Sequence, residues 1–169
     1  MTVDVFAADE QQDHPIDIAL WADLARKVLE ARGIKGETEV SLLFVDEESI
    51  AALNEQFLGK AGPTDVLSFP IEDDPGPTGR APDFGGSGPG SSPEQGALML
   101  LGDVVICPVV AARNAVEHEV SLDDEVALLV VHGLLHLLGM DHEDEAEAER
   151  MEALEQQLLT RFYRVSHGA

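Results

Sequence analysis

The chain predicts one domain that mixes helices and strands, and three observations carry that expectation. Its 169 residues and 44% hydrophobic content suit a single buried core of ordinary size. Apolar residues recur at helical spacing in some segments and form short strand-like runs in others. One stretch, Val126 to Leu138, is apolar nearly all round, the mark of a helix enclosed by protein. Residues 1–169 are therefore taken as one unit.

The elements follow in order. Thr2 to Phe6 alternates like a short first strand. Asp17 to Arg32 places Ile18, Trp21, Leu24, Ala25, Val28 and Leu29 at helical spacing and stops at Gly33, with Trp21 read as core. Glu37 to Val45 reads as a strand with Val40, Leu42 and Phe44 on one face. Asp46 can cap a helix carrying Ile50, Leu53 and Phe57, which Gly59 closes. Val66 to Ile71 is a short buried strand. From Glu72 to Gly96 the chain is rich in Gly, Pro and Ser and poor in large apolar groups, so a flexible surface loop is expected at about 72–96. Ala97 to Cys107 resumes a strand-like run, interrupted by Gly102 and Asp103. Pro108 is tolerated at a first helical position, so Val109 to Glu117 reads as a helix. Ser121, with Asp124 three residues on, opens the apolar helix like a variant capping box. The last helix, roughly Asp144 to Phe162, turns Met151, Leu154, Leu158 and Leu159 inward and its acids outward.

Composition narrows the function classes. No apolar run approaches the ~18 residues of a membrane span, and Met1 to Glu10 carries acids in place of a basic export signal. A cytoplasmic protein without membrane attachment is expected. Cys107, the only cysteine, excludes an internal disulfide and reads as buried packing. The net charge of −23 with ten Lys and Arg works against broad phosphate binding. Much of the acid crowds Glu143 to Glu155, read as a solvated helix face. Charges beyond roughly 8 Å are largely screened at physiological salt, so a local cationic cleft survives this balance.

The chemistry concentrates in His132-Gly-Leu-Leu-His136-Leu-Leu-Gly139-Met-Asp141-His142. Four residues apart on a helix, His132 and His136 share a face about 5–6 Å apart at Cβ. Both imidazoles then reach one ion at roughly 2.0–2.1 Å. Gly139 can end the helix in a left-handed conformation and let the chain double back, which brings in His142. Three protein ligands with a vacant fourth position are the arrangement of a catalytic zinc. The spacing also matches the metzincin template H-E-x-x-H-x-x-G-x-x-H, except that Gly133 replaces the glutamate that serves as general base. Peptide hydrolysis becomes a minor reading, open only if another carboxylate takes that role. Phosphodiester cleavage stays open, because zinc lowers the pKa of water unaided and RNA carries its own 2′-hydroxyl.

Three separated segments resemble the YbeY family of bacterial endoribonucleases and ribosome-maturation factors. They are Pro63-Thr64-Asp65-Val66-Leu67-Ser68-Phe69-Pro70, Leu101-Gly102-Asp103-Val104-Val105-Ile106 and the His132 to His142 stretch, and Met151 to Leu154 is similar to the family's closing helix. The resemblance spans most of residues 17–162 and omits the glycine-rich loop. It implies a compact α+β domain, a small mixed sheet flanked by helices, the central buried one carrying the metal motif. It implies one Zn(2+) per chain on His132, His136 and His142, with single-stranded RNA as substrate. It also implies a cytoplasmic role beside the ribosome small subunit, in 16S rRNA 3′-end maturation and late ribosome quality control. Two positions depart from the family pattern. Leu58 stands where many members have an arginine, with Lys60 close enough to substitute as a point charge, and Met140 stands where tyrosine is common.

Within that reading RNA lies across a cleft beside Val66 to Phe69. Asp103 and Asp141 are candidates to orient a ligand histidine or shuttle a proton, although Asp103 also suits a turn after Gly102. Lys60, Thr64, Asp65 and Ser68 are the candidate substrate contacts, with capping and turn hydrogen bonds the alternative for the last three. A noncatalytic ribosome-assembly factor stabilised by zinc is the second hypothesis, favoured by Leu58 and the negative charge. The vacant coordination position, with no fourth Cys or His nearby, favours the enzyme. The oligomeric state is open.

Overall fold

The computed structural model describes residues 3–34, 37–71, 99–140 and 144–164. The elements are β1 (Val3–Glu10), α1 (Ile18–Ala31), β2 (Thr38–Val45), α2 (Glu47–Leu53), β3 (Val66–Pro70), β4 (Met99–Ile106), α3 (Pro108–His118), α4 (Leu122–Leu137) and α5 (Glu145–Leu159), with wider π-type turns at Asn54–Leu58 and Thr160–Arg164. The glycine-rich segment expected as a loop at 72–96, and Asp141 and His142, lie outside the described residues.

The four strands form one mixed sheet in the order β1-β2-β4-β3. β2 runs parallel to β1 and to β4, while β3 pairs antiparallel with β4. Strand parity divides the side chains between two layers. Val40, Leu42, Phe44, Val104 and Ile106 enter the main core with α1, α4 and α5. Val45, Leu67, Val105 and Cys107 form a smaller cluster with Ile50 of α2 on the opposite face, where Val109 and Val110 of α3 also pack. The fold is α+β, as expected, with helices on both faces.

Local signals explain the helix boundaries. The side chains of Asp17, Asp46, Ser121 and Asp144 each accept a hydrogen bond from a backbone N–H of the first turn they precede. At the far end of α4 the left-handed Gly139 donates to the His136 carbonyl, and Met140 donates to that of Leu135, so a glycine exit closes the helix. Trp21 is buried at 1% exposure and stacks on Tyr163 at 5.9 Å between centroids. The Tyr163 hydroxyl donates to Asp124 Oδ1 at 3.1 Å, tying the last turn to both α1 and α4.

Three expectations change. The first strand is longer than Thr2 to Phe6, because its parallel pairing with β2 continues to Glu10 opposite Val45. Gly102 and Asp103 do not interrupt a strand. They lie inside β4 beyond a bulge opposite Glu39 and Val40, where the sheet absorbs one extra residue without breaking. Phe57 does not share the buried face of Ile50. The widened turn after Leu53 leaves it 57% exposed, edge-on to Phe69 at 5.3 Å.

Gly102 has a positive φ of 138°, and a Cβ there would sit 2.4 Å from the Phe69 carbonyl oxygen and 2.9 Å from the Pro70 Cα. Both obstacles are backbone atoms of the neighbouring strand. Gly102→Ala should therefore destabilise the fold by about 2–4 kcal/mol, from clash plus backbone strain. Gly33→Ala, with nothing within 4 Å, should cost only about 1 kcal/mol. Parallel urea melts of the two variants test that ranking.

Candidate functional site

Beyond its acidic first turn, α4 presents one stripe of polar groups from an otherwise apolar surface. Glu125, His132 and His136 follow at helical spacing, with Leu128 and Leu129 between them on the same side. His132 and His136 converge as their spacing predicts. Their rings stand 4.6 Å apart at 74°, and the two Nε2 atoms are 3.1 Å from each other. Two nitrogens held by one tetrahedral zinc lie about 3.3 Å apart, given bonds of roughly 2.0–2.1 Å. The observed separation fits such an ion, and the same pair of rings can also share a proton. Among the described residues no three of His, Cys, Asp and Glu come together as a metal-holding group. The third expected ligand, His142, is not one of the described residues.

The second ring nitrogen of His132 is committed elsewhere. Its Nδ1 meets Glu155 Oε2 at 2.5 Å, and the Glu155 side chain is 7% exposed. A carboxylate there favours the tautomer with hydrogen on Nδ1, which turns the Nε2 lone pair toward His136. This revises the reading of the late acidic run as uniformly solvated. Glu155 falls on the buried stripe of α5 with Met151, Leu158 and Leu159. That register was available in the sequence, because Glu155 follows Met151 by four residues.

The helix must lie close to the sheet for these rings to be placed, and Gly133 allows it. A Cβ at Gly133 would come 2.6 Å from Val104 Cγ1 and 3.3 Å from Ser68 Oγ. Ser68 also donates its hydroxyl to the Gly133 carbonyl at 3.1 Å. The glycine in the metzincin glutamate position thus packs against strands, and no side chain fits there. Ser68 is a fastener between β3 and α4.

The remaining candidates disperse. Asp103 shares the strand parity of Val105, and so sits on the sheet face away from α4. Asp65 is held on three sides. Its Oδ2 accepts from Asn114 at 3.0 Å, its Oδ1 from the Thr64 hydroxyl at 3.4 Å, and its carbonyl from the Cys107 N–H at 3.0 Å. Lys60 is exposed on the turn after Leu58, itself 51% exposed. The buried Asn54 shapes that turn by donating to the Gly62 carbonyl at 2.9 Å. Nothing in the sequence pattern singled out Asn54 or Asn114, whose partners lie in other elements.

A cavity of about 400 Å³ opens beside His132, between the facing stripes of α4 and α5 and the start of β3. At its far side His118 Nδ1 pairs with Glu125 Oε1 at 2.9 Å, and the Glu125 side chain is 3% exposed. That hydrogen bond, and then the charge of Glu125, hold His118 above the ordinary histidine range. Partial desolvation opposes the rise, and Glu117 and Asp65 add smaller pulls upward.

A model of the endoribonuclease YbeY family matches residues 6–163. The chain belongs to the YbeY family. Relatives named endoribonuclease YbeY include one from Thermobifida fusca, 44% identical over 89% of this chain and 88% of its own length. Another, from Nocardioides sp., is 39% identical over 88% of this chain and 91% of that one. The solution structure of TM1509 from Thermotoga maritima shares the fold, with a TM-score of 0.54 at 23% identity over 95% of this chain and 91% of that one.

Two outcomes follow from this geometry. Glu155→Ala should lower stability by about 1–3 kcal/mol by leaving the His132 Nδ1–H without its buried acceptor, whereas Glu155→Gln should cost less. Nitrogen-15 shifts of the His132 ring should show the loss of tautomer preference in the alanine variant. For His118, a raised value in the fold means that its ion pair stabilises fully below the unfolded histidine value and fades as pH climbs through the folded one. The stability difference between the protein and His118→Gln should be widest in mild acid and narrow in mildly alkaline buffer, as read from urea melts across pH.

Proposed function

We propose that this chain is a zinc-dependent endoribonuclease that cuts single-stranded RNA, acting on 16S rRNA during 3′-end maturation and in late ribosome quality control. The observation that carries the reading is the convergence of His132 and His136, with Glu155 behind them, in a chain that matches the endoribonuclease YbeY family over residues 6–163. Zinc would be held by His132, His136 and His142. When bound it supplies Lewis acidity toward a phosphate oxygen and activates water near neutral pH.

The chain's own residues prepare that site. Glu155 keeps hydrogen on His132 Nδ1 and so keeps its Nε2 available as a donor atom. Ser68 holds β3 against α4, which sets the strand beside which RNA would lie. Lys60 offers an exposed cation near that strand, close to Leu58, where the family resemblance leads one to expect an arginine. No described helix is long and apolar enough to cross a membrane. The proposed place of work is the cytoplasm, beside the ribosome small subunit.

A noncatalytic assembly factor with structural zinc is the second reading, favoured by the net charge of −23 and by a cavity whose described lining residues include no Lys or Arg. A peptidase is disfavoured. Gly133 has no room for a general base, and Glu155 stands at the Nδ1 side of His132, away from Nε2.

Purified protein incubated with labelled single-stranded RNA should yield fragments, a chelator should suppress them and zinc should restore them. His136→Ala should reduce cleavage at least about 100-fold with an unchanged circular dichroism spectrum. Undiminished cleavage by that variant would expose a contaminant and sink the enzyme reading. An unfolded variant would favour the structural role of zinc.

A further inference from the structure

We propose that the cavity beside His132 is a subsite for one nucleobase of an RNA strand, and that it selects bases bearing an exocyclic amino group. The inference rests on the RNA reading above and adds a specificity to it. The cavity, about 400 Å³, lies against His132, and such a volume falls in the usual range for small-molecule pockets, about 300–1,000 Å³.

Its lining decides which part of a nucleotide enters. Val66, Leu128, Leu129 and Met151 supply apolar walls suited to the faces of a flat ring. Between them stand the carboxylates Asp65, Glu125, Glu152 and Glu155, and among the described residues of the lining there is neither Lys nor Arg. A phosphate would meet repulsion there, so the sugar-phosphate chain belongs outside, at the histidines, while the base turns inward. An ionised carboxylate only accepts hydrogen bonds. It therefore favours the amino group at the edge of cytosine over uracil, whose oxygen occupies the equivalent position and whose donor on that edge is the ring N3–H alone.

Glu125 is placed to enforce that choice. It lies two turns before His132 on the same stripe of α4, is buried, and is anchored through Oε1 by His118. The bond to His118 and the burial of Glu125 together restrict where its carboxylate can lie.

Neutral nucleosides test the subsite without phosphate chemistry and without any need for cleavage. Cytidine and uridine, titrated into the full-length protein, should be followed through the methyl resonances of Leu128, Leu129 and Met151. Cytidine should bind at least about five-fold more tightly than uridine. Glu125→Gln should bring the two within about two-fold, and Leu128→Trp, which fills the cavity, should abolish the shifts. Glu152→Gln, on an exposed turn of α5, should narrow the difference in part and serves if the Glu125 variant does not fold. Equal binding of the two nucleosides, or no saturable shift of these methyls, overturns the subsite. RNA cleavage alongside such a failure would leave the nuclease reading standing, whereas selective nucleoside binding without cleavage would remove the nuclease reading alone.

Discussion

The seat of α4 on the sheet is the constraint from which the rest of the site follows. The helix meets β4 and β3 at Gly133, where there is no space for even a methyl group beside Val104. At the far end of that contact, Gly102 lets β4 pass under Leu137 and beside Phe69 without collision. Close packing leaves such a crossing little freedom to slide, because interiors respond to changes as small as one methylene. The histidines emerge just beside the crossing, and their mutual geometry is inherited from it.

Burial also sets the electrostatics. Polar groups on a helix enclosed by protein require partners, and each one on this stripe of α4 has found one. His132 meets Glu155, Glu125 meets His118, and His136 faces His132. The acidic partners come from different sources, one from α5 and one from α4 itself. Together they make the surroundings of the imidazoles anionic, which favours a bound cation and disfavours a bare phosphate. A strongly acidic chain can therefore carry a site for an anionic polymer only if the positive charge is local. Lys60, exposed on the turn before β3, is one such charge among the described residues.

The packing of β3 gives a second lesson about candidate residues. Thr64, Asp65 and Ser68 have the chemistry of substrate contacts, yet the hydroxyl of Ser68 is spent on the Gly133 carbonyl and Asp65 on Asn114. Their interactions brace the strand that borders the site. Asp103, equally plausible by type, falls on the other face of the sheet because side chains alternate along a strand. A carboxylate's type says what it can do, and parity says where it can do it.

The sequence by itself determined the helix starts, the core stripe of α1, the shared face of His132 and His136 and the glycine exit after them. These depend on contacts within four residues or on periodicity, and both are local. The late helix shows where local reasoning stops. Seven acids read as solvent-facing, and only the docking of α5 on α4 turns Glu155 into the partner of an imidazole 23 residues earlier. Sheet order, the bulge that keeps Gly102 inside β4, the two anchoring asparagines and the cavity between the helices were likewise decided by tertiary structure. Apart from the Asn54 bond to Gly62, eight residues on, these join segments well separated in the chain, whose meeting is settled by which surfaces exclude water together and by no single stretch of sequence.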